Sequence, residues 1–337
     1  VKLSIDVFDT QDSDSVLQLI LAREELRKAD LIIGPIASDE LRTVARFAAS
    51  YNIPMISPLS PRTVVEGDNP YFLQINPSYS THIQHVLRYS ERMPIRRSKH
   101  FIVAGTKDDS TYIEQCQFAY KIYKNDTAAL MPQYVPAEGN KFDGDQFRNL
   151  TRRGSLNIIF VPSLRENFVS NLLRTLTSEG TKSSRYDPTK RQEDYLIVGM
   201  SQWKYFENIS YDYFEKLRLH MTSESFIDPV ALTTLRFKES YFSRYGMPPR
   251  DFGYIGFDVM LYAGKMLHKH GTGFFAELEK EPFEGKHTRF LIRPVTRTVK
   301  VEENGVVKEK KVTSYYENTY INVLHYEEYE LKKVDTP

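Results

Sequence analysis

The chain has 337 residues, of which 41% are hydrophobic and 26% are charged, a balance that is normal for globular proteins and sufficient for two domains of ordinary size. Lysine and arginine number 45 and aspartate and glutamate 44, so the formal net charge of +1 indicates neither a nucleic-acid partner nor an anionic membrane surface. The single cysteine, Cys116, excludes an internal disulfide, and no apolar run approaches the roughly 18 residues of a membrane-spanning helix.

The segment from residue 31 to residue 61 predicts a strand, a helix and a second strand in succession. The apolar run at 31–33 is too short for a helix, and Ser38 then stands where a helix N-cap is expected. Apolar side chains recur at helical spacing between residues 41 and 48, before a second apolar run at 53–56. Such a βαβ unit places both strands in a parallel, buried sheet.

Hydroxyl side chains follow the strands of this unit. Ligands of doubly wound sheets sit beyond the carboxyl ends of the strands, where this sequence places Ser38, Ser57 and Ser60. Each serine taken alone is equally well explained as a cap of a helix or a turn, whereas their joint position at strand ends favours a binding site. Because hydroxyl groups are hydrogen-bonding groups and not strong acids or bases, the sequence predicts ligand binding here and not catalysis.

The residues before this unit extend the same pattern toward the N-terminus. Residues 1–10 alternate apolar and polar side chains, which predicts a strand, and a helical pattern runs from residue 12 to residue 29. The resulting order of strand, helix, strand, helix and strand over residues 1–57 is typical of a doubly wound parallel sheet.

A second series of strands and helices occupies the middle of the chain. The predicted strands of this part lie at residues 70–77, 101–104, 130–135, 158–161, 195–198 and 219–226. Helical patterns separate most of these strands, and most of them end in Ser, Thr, Gly or Asp. Two such arrays predict two α/β lobes with a cleft between the ends of their strands.

The C-terminal part changes from helices to strands. Helices are predicted at residues 231–245, 257–270 and 273–280. Two charged strands then flank Asn304-Gly305, the dipeptide that is typical of a tight hairpin turn. The sequence therefore predicts a C-terminal β-hairpin over residues 295–313, and alternating strands complete the chain.

Seven short motifs occur in a characteristic order along nearly the whole chain. They are VFDT at 7–10, LIIGPIASDE at 31–40, IPMISPLSP at 53–61, YFLQINPS at 71–78, NIIFVPS at 157–163, LIVGMSQW at 196–203 and FGYIGFDVMLYAGKML at 252–267. In this order and spacing the sequence resembles the type I periplasmic-binding-protein fold. The resemblance is strongest to the branched-chain amino-acid-binding-like receptor group, which contains substrate-binding proteins of ABC transporters.

The resemblance implies two Rossmann-like, doubly wound lobes joined by three crossings and closing on a small ligand. The crossings are expected near residues 75–78, 223–227 and 287–290. Lobe 1 would then hold residues 1–75 and 227–287, and lobe 2 residues 76–226 and 288–337, with the C-terminal hairpin as an addition to the usual fold.

The sequence departs from the pattern of this group at three places. The first strand and helix of the group have no counterpart in the given sequence, so we expect that a segment before Val1 is missing. Ser201 stands where amino-acid binders have a carboxylate that holds the ligand ammonium, and Pro61 stands where a threonine is expected. The resemblance therefore implies a small polar ligand, with an amino-acid-like ligand as the less expected kind.

The resemblance also assigns ligand contacts to positions of this sequence. In lobe 1 they are the three serines described above. In lobe 2 the residues expected to face the cleft are Thr106, Asp109, Tyr112, Ser163, Ser201 and Trp203. Tyr79, just past the first crossing, is expected to act as a lid or hinge contact, and Trp203 is explained equally well as a stacking wall or as a core residue.

The sequence predicts neither a metal site nor a cofactor. His82 and His85 lie three residues apart but lack a third ligand at suitable spacing, so we interpret them as exposed on a helix face. A glycine-rich phosphate loop and a nucleophile elbow are also absent from the sequence.

Two hypotheses about function follow. The first is a non-catalytic solute-binding protein of the periplasm or cell envelope, which closes over a small polar ligand and serves a membrane permease of the ABC class or a sensor. The alternative is an envelope-associated protein-interaction module of the same fold, with the charged hairpin at 295–313 as its contact surface. In neither case is nucleic acid an expected partner.

Overall fold

The computed structural model describes residues 3–36, 39–61, 68–93, 98–124, 133–137, 142, 144–145, 149, 151–152, 154–184, 195–303 and 306–334. The chain divides into two compact units and passes between them three times. Unit 1 comprises Val1–Ser78 and Ser225–Tyr320, and unit 2 comprises Tyr79–Glu224 and Ile321–Pro337.

The described part of the chain alternates strands and helices as the sequence predicts. The strands in chain order are β1 (Ile32–Ile33), β2 (Met55–Ser57), β3 (Phe72–Gln74), β4 (Lys99–Thr106), β5 (Gln133–Ala137), β6 (Leu156–Phe160), β7 (Tyr195–Met200), β8 (His220–Ser223), β9 (Phe283–Glu284), β10 (Arg289–Phe290), β11 (Ile292–Glu303), β12 (Val306–Asn318), β13 (Asn322–Glu327) and β14 (Glu330–Lys333).

The helices are mostly amphipathic and cover the sheets. They are α1 (Asp14–Leu21), α2 (Glu24–Arg27), α3 (Leu41–Ser50), α4 (Tyr79–Arg92), α5 (Ser110–Lys124), α6 (Glu166–Ser184), α7 (Tyr211–Lys216), α8 (Leu232–Tyr245) and α9 (Asp251–His270), with 3₁₀ helices at Lys107–Asp109, Ser201–Tyr205 and Gly271–Lys280. Within the described residues, no helix is long and apolar enough to cross a membrane.

The main sheet of unit 1 has the strand order β1-β2-β3-β12-β11. The first four of these strands are parallel, and β11 pairs with β12 in the antiparallel sense. Successive residues of β2 and β3 point into different hydrophobic clusters. Met55 and Phe72 pack with α3, whereas Ile56 and Leu73 pack with α9 and its neighbours. Both faces of the sheet are therefore buried, as expected for a doubly wound sheet.

The sheet of unit 2 has seven strands in the order β14-β13-β8-β7-β6-β4-β5. The five strands from β8 to β5 run parallel, and β13 and β14 add an antiparallel edge. Every residue of β6 is buried, because helices cover both faces of the sheet. The predicted α/β architecture with parallel sheets and an added C-terminal hairpin is confirmed.

The long hairpin belongs to unit 1. Residues 288–337 are expected in lobe 2 from the sequence, but only residues 321–337 lie in unit 2. The reason is a long-range pairing, since Tyr316 and Glu317 of β12 pair with Leu73 and Gln74 of β3. The other two crossings lie within three residues of their expected positions. The expected turn residues of the hairpin, Asn304 and Gly305, lie outside the described residues.

The N-terminal segment differs from its prediction. Residues 3–10 form no strand, and the apolar side chains of Leu3, Ile5 and Val7 are 43%, 62% and 87% exposed. Alternation makes a segment suitable for a strand, but a strand also needs a neighbour to hydrogen-bond, and no described residue pairs with this one. The predicted helix over residues 12–29 is split into α1 and α2.

Candidate functional site

Three neighbouring parallel strands of unit 2 carry a predicted ligand contact at or just beyond their carboxyl ends. Thr106 is the last residue of β4, Ser163 lies three residues beyond β6, and Ser201 follows β7 directly. Since β7, β6 and β4 are adjacent in the sheet, these residues line one edge of unit 2. This is the edge at which doubly wound sheets bind their ligands.

Thr106 and Asp109 hold the turn after β4. One carboxylate oxygen of Asp109 accepts hydrogen bonds from the backbone N–H and the hydroxyl of Thr106, both at 2.8 Å. Asp109 is only 3% exposed. This reciprocal capping box fixes the start of the segment that leads into α5. Both side chains therefore stabilise the backbone at this edge of the sheet.

Trp203 is a packing residue of unit 2 and not a stacking wall. Its side chain is fully buried, and its indole Nε1 donates a 2.9 Å hydrogen bond to the carbonyl oxygen of Ser163. The ring lies so close to Gly199 that a Cβ atom built there would come within 2.4 Å of it. The expectation that Trp203 faces a ligand is therefore corrected, because the indole connects the segments after β6 and β7.

A carboxylate lies beside Ser201. The hydroxyl of Ser201 donates a 3.1 Å hydrogen bond to a carboxylate oxygen of Glu224, which follows β8, the next strand of the sheet. Glu224 is not among the contacts predicted from the sequence, although it has the same signal as Ser201, a polar side chain directly after a strand. Ser201 stands where amino-acid binders have a carboxylate, which by itself implied a less acidic edge. Glu224 makes the edge of unit 2 more acidic than that position alone implied.

Two tyrosines stack at the beginnings of α4 and α5. The rings of Tyr79 and Tyr112 lie 4.2 Å apart between centroids at an angle of 27°. Tyr79 is 3% exposed and Tyr112 is half-buried. The sequence predicted a ligand-binding role for each tyrosine separately, and the structure brings the two into direct contact.

His82 lies next to this stack and is buried, contrary to the expectation of an exposed helix face. Its ring centroid is 6.3 Å from that of Tyr79, and its side chain is 2% exposed. Burial lowers the pKa of His82 to about 3, and the positive charge of His85 acts in the same direction. The imidazole is therefore neutral at physiological pH. Among the described residues, no group of three or more His, Cys, Asp and Glu side chains is placed to hold a metal ion.

Unit 1 has a buried polar row at the carboxyl ends of its strands. Ser57 of β2 pairs in register with Gln74 of β3, which pairs with Glu317 of β12, so the three side chains share one face of the sheet. All three are buried. Among the described residues, neither the hydroxyl of Ser57 nor the amide oxygen of Gln74 has a hydrogen-bond partner. Gln74 and Glu317 are not among the contacts predicted from the sequence, where their signal is a polar residue in a strand that is buried on both faces.

The loops beside this row are held by side-chain amides. The Gln74 amide donates to the carbonyl of Asn76 at 2.8 Å, and the Asn76 amide donates to the carbonyl of Leu59 at 2.6 Å. Ser60, in the same loop, is 7% exposed. Ser38, the third predicted contact of this part, lies outside the described residues. Of the predicted contacts that the structure describes, only Tyr112 keeps partial exposure.

A close Asp–His pair elsewhere in unit 1 fixes a turn. The carboxylate of Asp258 is fully buried and accepts hydrogen bonds from the backbone N–H groups of Lys286 and His287 and, at 2.5 Å, from His287 Nδ1. A Cβ atom at Gly285 would lie 2.2 Å from this carboxylate, so only glycine fits there. Because these donors occupy the carboxylate, the pair is a structural connection between α9 and the segment before β10.

Comparison with known proteins supports the fold assignment. Residues 1–91 match the ANF_receptor family, described as the receptor family ligand binding region. No curated protein sequence matches the chain.

Solved structures match over almost the whole chain at low sequence identity. An ABC transporter substrate-binding protein from Desulfitobacterium hafniense in complex with Leu has 14% identity and a TM-score of 0.58, over 99% of this chain and 89% of that one. A second similar structure is the branched-chain amino acid transporter substrate-binding protein LivJ from Streptococcus pneumoniae, in complex with isoleucine. It has 14% identity and a TM-score of 0.52, over 97% of this chain and 86% of that one. Full-length LpoA from Haemophilus influenzae has 12% identity and a TM-score of 0.58, over 98% of this chain and 52% of that one. The predicted type I periplasmic-binding-protein fold is confirmed.

Proposed function

We propose that this protein is an extracytoplasmic solute-binding protein that closes over a small polar ligand and serves an ABC-type permease or a sensor. The observation that carries the proposal is the edge of unit 2, where three adjacent parallel strands, β4, β6 and β7, lead into hydroxyl-bearing residues. The similarity to substrate-binding proteins of ABC transporters supports it. Such a role places the protein in the periplasm or at the cell envelope.

The proposed activity is binding and conformational change without catalysis. The polar side chains of the edge hydrogen-bond to one another, as Thr106 does to Asp109 and Ser201 does to Glu224. A ligand that moves a protein from 1:99 to 99:1 in favour of its closed form must prefer that form by about 5.5 kcal/mol. A few hydrogen bonds of about 0.5–1.5 kcal/mol each, together with contact to an aromatic ring such as Tyr112, are enough to supply this preference.

The ligand we propose carries a hydrogen-bond donor toward unit 2. Glu224 brings a carboxylate to the edge beside Ser201, and the amide oxygen of Gln202 is buried without a hydrogen-bond partner among the residues that the structure describes. Acceptors of this kind suit hydroxyl, amide or ammonium groups. Amino acids are therefore the first class of compound to test, and the Leu and isoleucine complexes of the similar structures support that order.

The proposal is tested by thermal unfolding in the presence of candidate ligands. Amino acids, sugars, purines and short peptides are screened, and a ligand at 100 times its Kd is expected to stabilise the protein by about 2.7 kcal/mol. The double variant Ser57→Ala/Ser201→Ala should abolish the shift. Ser57→Ala is informative on its own, because its hydroxyl has no hydrogen-bond partner to lose within the described part of the chain.

Ser243→Ala is the matched control for these variants. Ser243 is an exposed residue of α8 whose hydroxyl donates only to the carbonyl of Glu239. This variant should respond to the ligand as the unmodified protein does. Binding of solutes is disproved if no class of compound raises the unfolding temperature, or if the double variant retains the full shift.

The second candidate function, an envelope protein-interaction module, is supported by the hairpin of β11 and β12. Its described residues from 307 to 311 are all exposed, while β12 pairs with β3 only at Tyr316 and Glu317. The hairpin therefore extends well beyond the sheet to which it is attached. The similarity to LpoA also supports this alternative.

Shortening the hairpin separates the two functions. Arg297 and Val312 are register partners, so residues 298–311 can be replaced by a two-residue Asn-Gly turn without moving the strand ends. The ion pair of Arg297 with Asp68, with two contacts of 2.7 Å, would remain to hold the base. Loss of a captured envelope partner with an unchanged ligand response supports the interaction module, and an unchanged partner with a lost ligand response supports the receptor.

A further inference from the structure

Two histidines and a tyrosine form a cluster in unit 2 that the proposed function does not use. His220 of β8 and His325 of β13 are directly opposite each other in an antiparallel pair, and their rings stack with centroids 4.6 Å apart at 20°. The hydroxyl of Tyr89, on α4, lies 3.1 Å from Nε2 of His220. We call these three residues the Tyr–His–His cluster.

The cluster joins the three elements of unit 2 that lie next to the crossings. Tyr79, the first residue of α4, is also the first residue of unit 2. Strand β8 ends one residue before the second crossing, and β13 begins one residue after the third. In addition to the strand pairing of β8 with β13, the cluster therefore adds one hydrogen bond and one ring stack between the elements that lie next to the crossings.

Hydrogen bonds determine which nitrogen of His220 carries the proton. Nδ1 of His220 lies 2.9 Å from the carbonyl oxygen of Arg218, which can only accept, so Nδ1 is the donor. Nε2 is then unprotonated in the neutral ring and accepts the O–H of Tyr89. Nε2 of His325 is buried, and no described residue forms a hydrogen bond with it.

We propose that the Tyr–His–His cluster is an acid-sensitive latch that holds α4 against β8 and β13 at neutral pH and releases it in acid. A proton on Nε2 of His220 turns an acceptor into a donor, so the Tyr89 hydroxyl must turn round to accept from it, and a positive charge is then buried in the cluster. The new positive charge also faces the ring of His325 across the stack. The inference concerns unit 2 alone and does not depend on the identity of a ligand.

Burial holds both imidazoles in the neutral form. Burial and the neighbouring His325 lower the pKa of His220 to about 4, against a small opposing effect of the hydrogen bond to the Arg218 backbone. For His325, burial is again the main cause of a lowered pKa. The carboxylates of Glu327 on β13 and Glu215 on α7 raise that pKa, and the cations Arg218 and Lys332 lower it.

These shifts give the direction of the pH dependence. The free imidazoles of an opened cluster take up protons near pH 6.5, whereas His220 in the closed cluster does so only near pH 4. Between these values the opened form binds more protons, so the closed form loses stability as the pH falls. The latch is therefore fully closed above about pH 6.5 and is progressively released toward pH 4.

Trp203 provides a local readout of the latch. It is the single tryptophan of the chain, it is fully buried in unit 2, and the 3₁₀ helix that carries it contacts β8. Its fluorescence is followed in the full chain from pH 7.5 to pH 3.5, and the imidazole proton signals of the histidines are titrated in parallel by NMR.

The expected result is a Trp203 transition below pH 6 that coincides with the protonation of His220, which in the closed cluster occurs only near pH 4. Tyr89→Phe removes the hydrogen bond that joins α4 to β8, so the closed form is less stable and the transition should move to higher pH by about half a unit to one unit. His220→Gln keeps a neutral acceptor for Tyr89 at every pH, so the transition should move to lower pH by a similar amount. His82, buried on α4, remains in both variants and accounts for a residual transition.

His268→Gln is the control, because His268 is an exposed residue of α9 in unit 1. It should leave the Trp203 transition unchanged. The latch is ruled out if His220 titrates near pH 6.5 in the unmodified protein, a result that needs no variant. It is also ruled out if the His220 and His268 variants shift the transition equally, or if neither cluster variant shifts it.

Discussion

Gly199 and Trp203 show how the size of one residue decides the role of another. Trp203 occupies space that any side chain at Gly199 would fill, with three ring atoms within 2.6 Å of the position of a Cβ atom. The indole is also tied to the Ser163 carbonyl, so it has little freedom to move aside. A ligand-facing tryptophan would need an exposed ring face, and this ring has none.

At the residue scale we predict that Gly199→Ala is destabilising. The added methyl group must displace a fully buried ring in a close-packed interior, which typically costs about 1–3 kcal/mol. Denaturant unfolding followed by Trp203 fluorescence for unit 2, and by circular dichroism for both units, measures the loss. Gly273→Ala is the control, because nothing lies within 4 Å of its added carbon, and it should change stability by less than about 0.5 kcal/mol. Equal stability of the two variants would contradict the packing role of Gly199.

The C-terminal end of α8 is determined by the local sequence. Gly246 follows the helix with φ at +71°, and its backbone N–H donates to the carbonyl of Phe242 at 2.8 Å. This left-handed conformation is typical of glycine after the last turn of a helix. No atom lies within 4 Å of a Cβ built at Gly246, so a substitution there changes only the backbone energy.

At the element scale we predict opposite effects of two Gly→Ala changes. Gly246→Ala should cost about 1 kcal/mol, because alanine must adopt a left-handed backbone that it disfavours. Gly256→Ala, in the interior of α9 with open space around it, should stabilise by about 0.5–1 kcal/mol through helix propensity. Circular dichroism during denaturant unfolding measures both changes. A neutral Gly246→Ala variant would show that the helix end adjusts freely.

Each unit of the molecule has a sheet and a core of its own. Unit 1 is organised around the five-stranded sheet and unit 2 around the seven-stranded sheet, with only three chain crossings between the units. Chains with two separate cores commonly depart from two-state unfolding. Trp203 lies in unit 2, so its fluorescence reports on one unit while circular dichroism reports on both.

At the scale of the whole molecule we predict two separable unfolding transitions. Gly246→Ala weakens unit 1, so it should shift the circular dichroism curve but leave the midpoint of the Trp203 fluorescence curve in place. Gly199→Ala should shift the fluorescence curve. If Gly246→Ala moves both curves by the same amount, the two units unfold as a single cooperative body and the prediction is wrong.

The local elements of this protein could be predicted from its sequence because hydrophobic periodicity acts over a few residues. The apolar stripe of α3 and the continuous apolar run of β6 appear in the structure with shifts of only one or two residues. The positions of Ser163 and Ser201 also followed from the sequence, since the end of a buried strand defines one edge of a parallel sheet.

Tertiary structure decided those features that depend on contacts between residues far apart in the sequence. Residues 3–10 have the alternation of a strand but remain unpaired, and the hairpin joined unit 1 because β12 pairs with β3 more than 200 residues away. Tertiary structure also decided two contacts of the candidate site. Glu224 approaches Ser201, and the ring of Trp203 packs directly against Gly199. Sequence periodicity records which face of a segment is apolar, whereas strand pairing and side-chain contact depend on long-range packing that a local pattern does not contain.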